Sequence, residues 1–87
     1  MEAKEIYERE GIIKGSKDIF MIMEDGSLSL KTYIGDNVIE WENPELVPCG
    51  KGNRIHHGKE NGSGLRSSMS FRNYDDGEID KRWKKIM

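Results

Sequence analysis

The stretch that most constrains this chain runs from Gly11 to Trp41, GIIKGSKDIFMIMEDGSLSLKTYIGDNVIEW. Strong β-forming residues are cut there into short runs by turn chemistry at Gly15-Ser16, Asp25-Gly26 and Gly35-Asp36-Asn37. This punctuation predicts a four-stranded antiparallel meander with strands near 11–14, 18–24, 27–34 and 38–41. In the second run Ile19, Phe20, Met21, Ile22 and Met23 are consecutive, so both faces call for cover and the strand belongs at the centre. Leu28 and Leu30 alternate with Ser27, Ser29 and Lys31, the pattern of a half-buried strand.

Outside the meander the signals are mixed. Ala3, Ile6 and Tyr7 fall at i, i+3 and i+4 before Gly11, which predicts a short helix over 2–10. Asn43 to Pro48 reads as a turn leading into an edge segment, since each Pro lacks a donor and disfavours helix before it. Residues 49–68, CGKGNRIHHGKENGSGLRSS, hold five of the ten glycines and few apolar groups, and predict a long basic loop. Met69 and Phe71 predict one more short strand. Asp75 to Met87 shows an Asp75/Glu78 capping box, acids early, bases late, and an Ile79, Trp83, Ile86 stripe; these predict a C-terminal helix.

The expected fold is therefore α+β and mainly β: a small antiparallel meander or SH3-like barrel with a short N-terminal and a C-terminal helix, in one domain over 1–87. Trp41 followed by Glu-Asn-Pro-Glu-Leu resembles the way small SH3-like barrels pass from a strand into a helical turn. The resemblance covers about 40 residues and concerns fold type alone.

The 87 residues carry a net charge of −2, unevenly spread. Residues 1–50 hold five Lys/Arg against eleven Asp/Glu, and residues 51–87 hold nine against five. An acidic face and a basic face are expected, meeting different partners or each other in a homo-oligomer. Cys49 is the single cysteine, which excludes an internal disulfide and fits a reducing compartment. The acidic N-terminus is unlike a secretory signal, and no apolar run is long enough to span a bilayer. A cytoplasmic protein with no membrane partner is the expectation.

Chemistry is sparsely signalled. Gly50-Lys51-Gly52 and Gly58-Lys59 lack the spacing of a phosphate loop, and Cys49 with His56 or His57 lacks metal-ligand spacing, so no cofactor and no metal is expected. The favoured reading is a non-enzymatic protein-interaction module, an inhibitor or adaptor, of which a phage or mobile-element protein blocking a host enzyme is one version. Its partner-binding residues would be Trp83, Arg82, Phe71 and Tyr74. Acidic mimicry by Glu2, Glu5, Glu8, Glu10, Glu40, Glu42 and Glu45 is a variant. The alternative is nucleic-acid binding through Lys51, Arg54, Lys59, Arg66 and Arg72. A second alternative is metal-independent RNA cleavage, with His56 or His57 as acid or base and Lys59 among the cations.

Overall fold

The computed structural model describes residues 2–58 and 66–87. No helix occurs among them; the elements are β1 (Ala3–Glu10), β2 (Ser16–Met23), β3 (Leu28–Ile34), β4 (Asn37–Glu40), β5 (Glu45–Cys49), β6 (Gly52–His57), β7 (Ser67–Arg72) and β8 (Lys84–Lys85). They form two sheets, ordered β4-β3-β2-β1-β8 and β5-β6-β7, and every pairing is antiparallel. The chain divides into two compact units: Met1–Trp41 with Arg82–Met87, and Glu42–Lys81.

In the first unit the meander is present, with β2 in the middle as its unbroken apolar run requires. Its first strand is Ala3–Glu10 rather than 11–14, and this corrects the N-terminal helix. The residues of β1 that turn inward are Tyr7 and Arg9, spaced by two; because Arg9 is charged, the alternation is invisible to an apolar pattern and Ile6-Tyr7 mimics a helical face. Tyr7, Phe20 and Leu30 stand opposite one another on β1, β2 and β3 and are buried. Trp83, 5% exposed, joins them, its ring centroid 6.2 Å from that of Phe20. At the β2–β3 turn Gly26 takes a φ of 87°, and Asp25 Oδ1 accepts from the Ser27 N–H at 2.9 Å and the Ser27 hydroxyl at 2.6 Å.

The C-terminal helix is likewise absent. Gly77 lies two residues beyond the proposed cap with a φ of 73°, which stops a right-handed helix in its first turn. Asp76, not Asp75, supplies the local acceptor, for the Glu78 N–H at 2.8 Å. The apolar stripe is divided: Ile79 bridges Arg72 in the second unit, whereas Trp83 enters the core of the first. Beyond Trp83 the chain pairs with β1 through Lys84 and Lys85 and through Ile86 N–H donating to Ile6 O at 2.8 Å.

In the second unit β6, Gly52–His57, is the central strand of its sheet, so much of the span expected to be a loop is ordered β-structure. Among the described residues its buried apolar ones are Ile55 on β6 and Phe71 on β7, and His57 is buried two positions beyond Ile55. A Cβ on Gly52 would overlap the carbonyl oxygens of Arg72 and Asn73, so only glycine lets these strands approach. The fold holds no closed SH3-like barrel; each sheet is open at its ends among the described residues.

The units also redistribute the charge. The first holds eight Lys/Arg against nine Asp/Glu, net −1, and the second six against seven, again net −1. Segregation along the sequence is therefore undone when Arg82, Lys84 and Lys85 join the acidic N-terminal strands.

Candidate functional site

Two polar rows and one loop tip carry the chemistry of this molecule. The first row crosses the inner face of the five-stranded sheet. Arg9, Asp18 and Thr32 stand opposite one another on β1, β2 and β3, and all three are buried. Arg9 Nε donates to Asp18 Oδ2 at 3.0 Å, the Thr32 hydroxyl donates to Asp18 Oδ1 at 2.6 Å, and Trp41 Nε1 donates to Thr32 Oγ1 at 2.8 Å. At the other end the Arg9 guanidinium lies 5.2 Å from the centroid of the Trp83 ring. Each buried charge is thus matched by a hydrogen-bonding partner, the condition under which an ion pair survives without water. The row is enclosed and serves the fold.

The tip is the β1–β2 loop. Gly11 N–H donates to Ser16 O at 3.0 Å, Ser16 N–H donates to Ile13 O at 2.9 Å, and the buried Ser16 hydroxyl donates to the same carbonyl at 2.6 Å. Gly15 takes a φ of 84°, and a Cβ on Gly11 would overlap the Ser16 hydroxyl. This clamp presents Ile12 at 95% exposure and Ile13 at 58%. A shallow depression lined by Glu8, Gly15, Lys17, Ile19, Tyr33 and Gly35 opens beside the loop; a second shares Gly15 and Lys17 and adds Glu10 and Lys14. Across the first, Lys17 Nζ sits 2.8 Å from Glu8 Oε1, and that bond holds the ammonium above the ordinary lysine value.

The second row crosses the three-stranded sheet. Glu45 on β5 pairs with His56 on β6, and His56 pairs with Ser68 on β7. Residues directly opposite across antiparallel strands share a face, so carboxylate, imidazole and hydroxyl project together. Arg54 lies two positions from His56 on that face and donates through Nε to Ser68 Oγ at 2.7 Å. Arg66 Nη1 is 3.3 Å from Glu45 Oε2, its Nε donates to Gly58 O at 3.1 Å, and its Nη2 donates to Asn43 O.

No protein-family model, curated protein or solved structure matches this chain. The reading of the site rests on its geometry.

Of the residues expected to bind a partner, Trp83 and Phe71 are buried, Arg82 is exposed, and Tyr74 is 65% exposed beside Gly50. They are split between the units, Trp83 and Arg82 in the first, Phe71 and Tyr74 in the second. Of the basic residues expected to track phosphates, Lys51 occupies the β5–β6 turn, Arg54 and Arg66 share the open face, and Arg72 donates to Gly77 O at 3.0 Å. Lys59 lies outside the described residues. His56 and His57 point to opposite faces of β6; His57 is buried and His56 half-buried. Among the carboxylates invoked for mimicry, Glu5, Glu8, Glu40 and Glu45 are each within ion-pair distance of a Lys or Arg, which lowers their value as a bare negative surface. Gly50-Lys51-Gly52 is a turn covered by Tyr74, its Lys51 N–H donating to Tyr74 O at 2.8 Å.

Sequence reasoning placed Ile12 and Ile13 in a strand and took Glu45 only as one of the mimicry carboxylates, apart from His56. Two glycines bracketing three residues, Gly11 and Gly15, were a legible loop signal for the first. The pairing of Glu45 with His56 became visible only through strand register.

Proposed function

We propose that the chain is a protein-interaction module whose anchor is the Ile12-Ile13 tip. The observation that carries this reading is the exposure of two adjacent isoleucines on a loop locked by three hydrogen bonds. A rigid apolar anchor loses little conformational freedom on docking, so more of its burial appears as affinity. Burying one Ile side chain is worth about 1.5–3 kcal/mol, enough for two to change affinity by roughly 100-fold or more. Lys14 and Lys17, with Glu8 and Glu10, would form the charged rim around such an anchor.

The reading is tested by placing a photo-crosslinking residue at position 12 of the full-length chain, with the same residue at Glu24, an exposed position in another turn, as control. A discrete protein adduct is expected from position 12, absent from position 24 and lost when Ile13→Asp is added. Identical adduct patterns from the two positions would refute it.

A further inference from the structure

The open face of the three-stranded sheet holds the elements of a reaction that the tip does not use. Glu45, with its side chain 61% exposed, stands opposite the half-buried His56, which stands opposite Ser68. Arg54, held by Ser68, lies to one side of the imidazole, and Arg66 lies against Glu45. The reverse face of the same sheet carries the buried Ile55 and His57, so the polar row is the side turned to solvent. Residues paired across antiparallel strands have Cβ atoms about 4.5–5.5 Å apart, which lets a carboxylate and an imidazole reach opposite sides of one phosphorus atom.

We propose that this face cleaves single-stranded RNA by internal transesterification. Glu45 takes the proton of a ribose 2′-hydroxyl as that oxygen attacks the adjacent phosphorus and the O2′–P bond forms. The P–O5′ bond breaks, and His56, entering as imidazolium, gives its proton to the departing 5′ oxygen. The products are a 2′,3′-cyclic phosphate and a 5′-hydroxyl; proton exchange with water restores Glu45 and His56. The Arg54 guanidinium faces the non-bridging oxygens, where charge accumulates in the transition state. Arg66 is a positioning residue: its bonds to Gly58 O and Asn43 O fix the guanidinium that orients Glu45. Because the nucleophile belongs to the substrate, the reaction requires a 2′-hydroxyl. An open sheet face suits an extended strand better than an enclosed small molecule.

The experiment uses the purified full-length chain, an end-labelled single-stranded RNA oligonucleotide with chelator present, and the same oligonucleotide as DNA. Cleavage leaving 2′,3′-cyclic phosphate ends is expected on RNA and none on DNA. His56→Gln and Glu45→Gln should each lower the rate by about 100-fold or more, the usual worth of a positioned acid or base. Both substitutions lie on the open face, and the melting temperature of each variant confirms that it folds; the more exposed Glu45 carries the test if His56→Gln does not. The proposal is overturned if the wild-type chain leaves RNA intact, if DNA is cut equally, or if folded variants cleave at the wild-type rate.

Discussion

Each unit lays a polar row across an antiparallel sheet, and the rows have opposite fates. Arg9, Asp18 and Thr32 lie inside the first unit, capped by Trp83 and Trp41, with the donors of Arg9 and Thr32 aimed at one carboxylate. Glu45, His56 and Ser68 lie on the outside of the second, where His56 is half-buried and Glu45 and Ser68 are exposed. In both cases register brings the residues together; burial decides what they do. An enclosed row must satisfy itself and so becomes part of the fold, whereas an open one keeps capacity for something else.

The sharpest way to break this comparison is to remove one partner of the enclosed row. Asp18→Ala leaves the Arg9 charge buried without its carboxylate and is expected to cost about 3–5 kcal/mol, a large share of the stability of a small domain. Urea denaturation of the full chain measures it. A loss below 1 kcal/mol would mean that water reaches the row and that the two rows do not differ in kind.

Ile55→Ala tests whether the second unit also depends on a dry interior behind its open face. Ile55 is fully buried, and its truncation should cost about 2–5 kcal/mol, with amide protection falling in β5, β6 and β7. If protection in those strands is unchanged, the core assignment there is mistaken. His56→Gln is the matched change on the open side and should alter stability by no more than about 0.5 kcal/mol. A larger loss would place His56 with the enclosed row, as a structural group.

The smallest effect concerns pH. The Tyr7 hydroxyl donates to Glu5 at 2.6 Å, and that bond, followed by the Lys85 charge, holds the Glu5 carboxyl below its ordinary value. Hydrogen bonds from Ser27 do the same for Asp25. A lowered carboxylate contributes stability that is complete above the ordinary carboxylate range and disappears as the pH falls through the folded value. Stability should therefore decline on acidification, and Tyr7→Phe should flatten the Glu5 share of that slope. Denaturation midpoints across the acid range provide the check, and an unchanged slope in the variant would remove Tyr7 as the cause.

The legible part of the fold was the part written in apolar alternation and turn residues. The run Ile19 to Met23 announced a central strand, and Asp25-Gly26 and Gly35-Asp36 announced hairpins that are present. Elements whose inward positions are polar were hidden. Arg9 puts a charge at an inward position of β1, so the alternation with Tyr7 did not show and the Ala3, Ile6, Tyr7 spacing looked helical. His56 and Arg54 read as loop residues because the strand that holds them is short of apolar groups and rich in glycine beyond its end. The C-terminal segment misled differently: Asp75, Glu78 and the Ile79, Trp83, Ile86 spacing satisfy every local rule for a helix except Gly77. Packing of Trp83 against Phe20 overrides them. Of the site, residue types were foreseeable, whereas the juxtaposition of Glu45 with His56 depends on strand register that no local pattern encodes.

The pairing of β8 with β1 also gives the chain an order of assembly. Everything from Glu42 to Lys81 is contiguous, but the first sheet gains Trp83 and its fifth strand only from residues beyond that unit. During synthesis β1 emerges well before residues 84–85, so the edge that β8 pairs with lacks its partner until they follow. The sheet that starts first is the one that finishes last, and the interval in which its edge can recruit a foreign strand is set by the time taken to translate the unit in between.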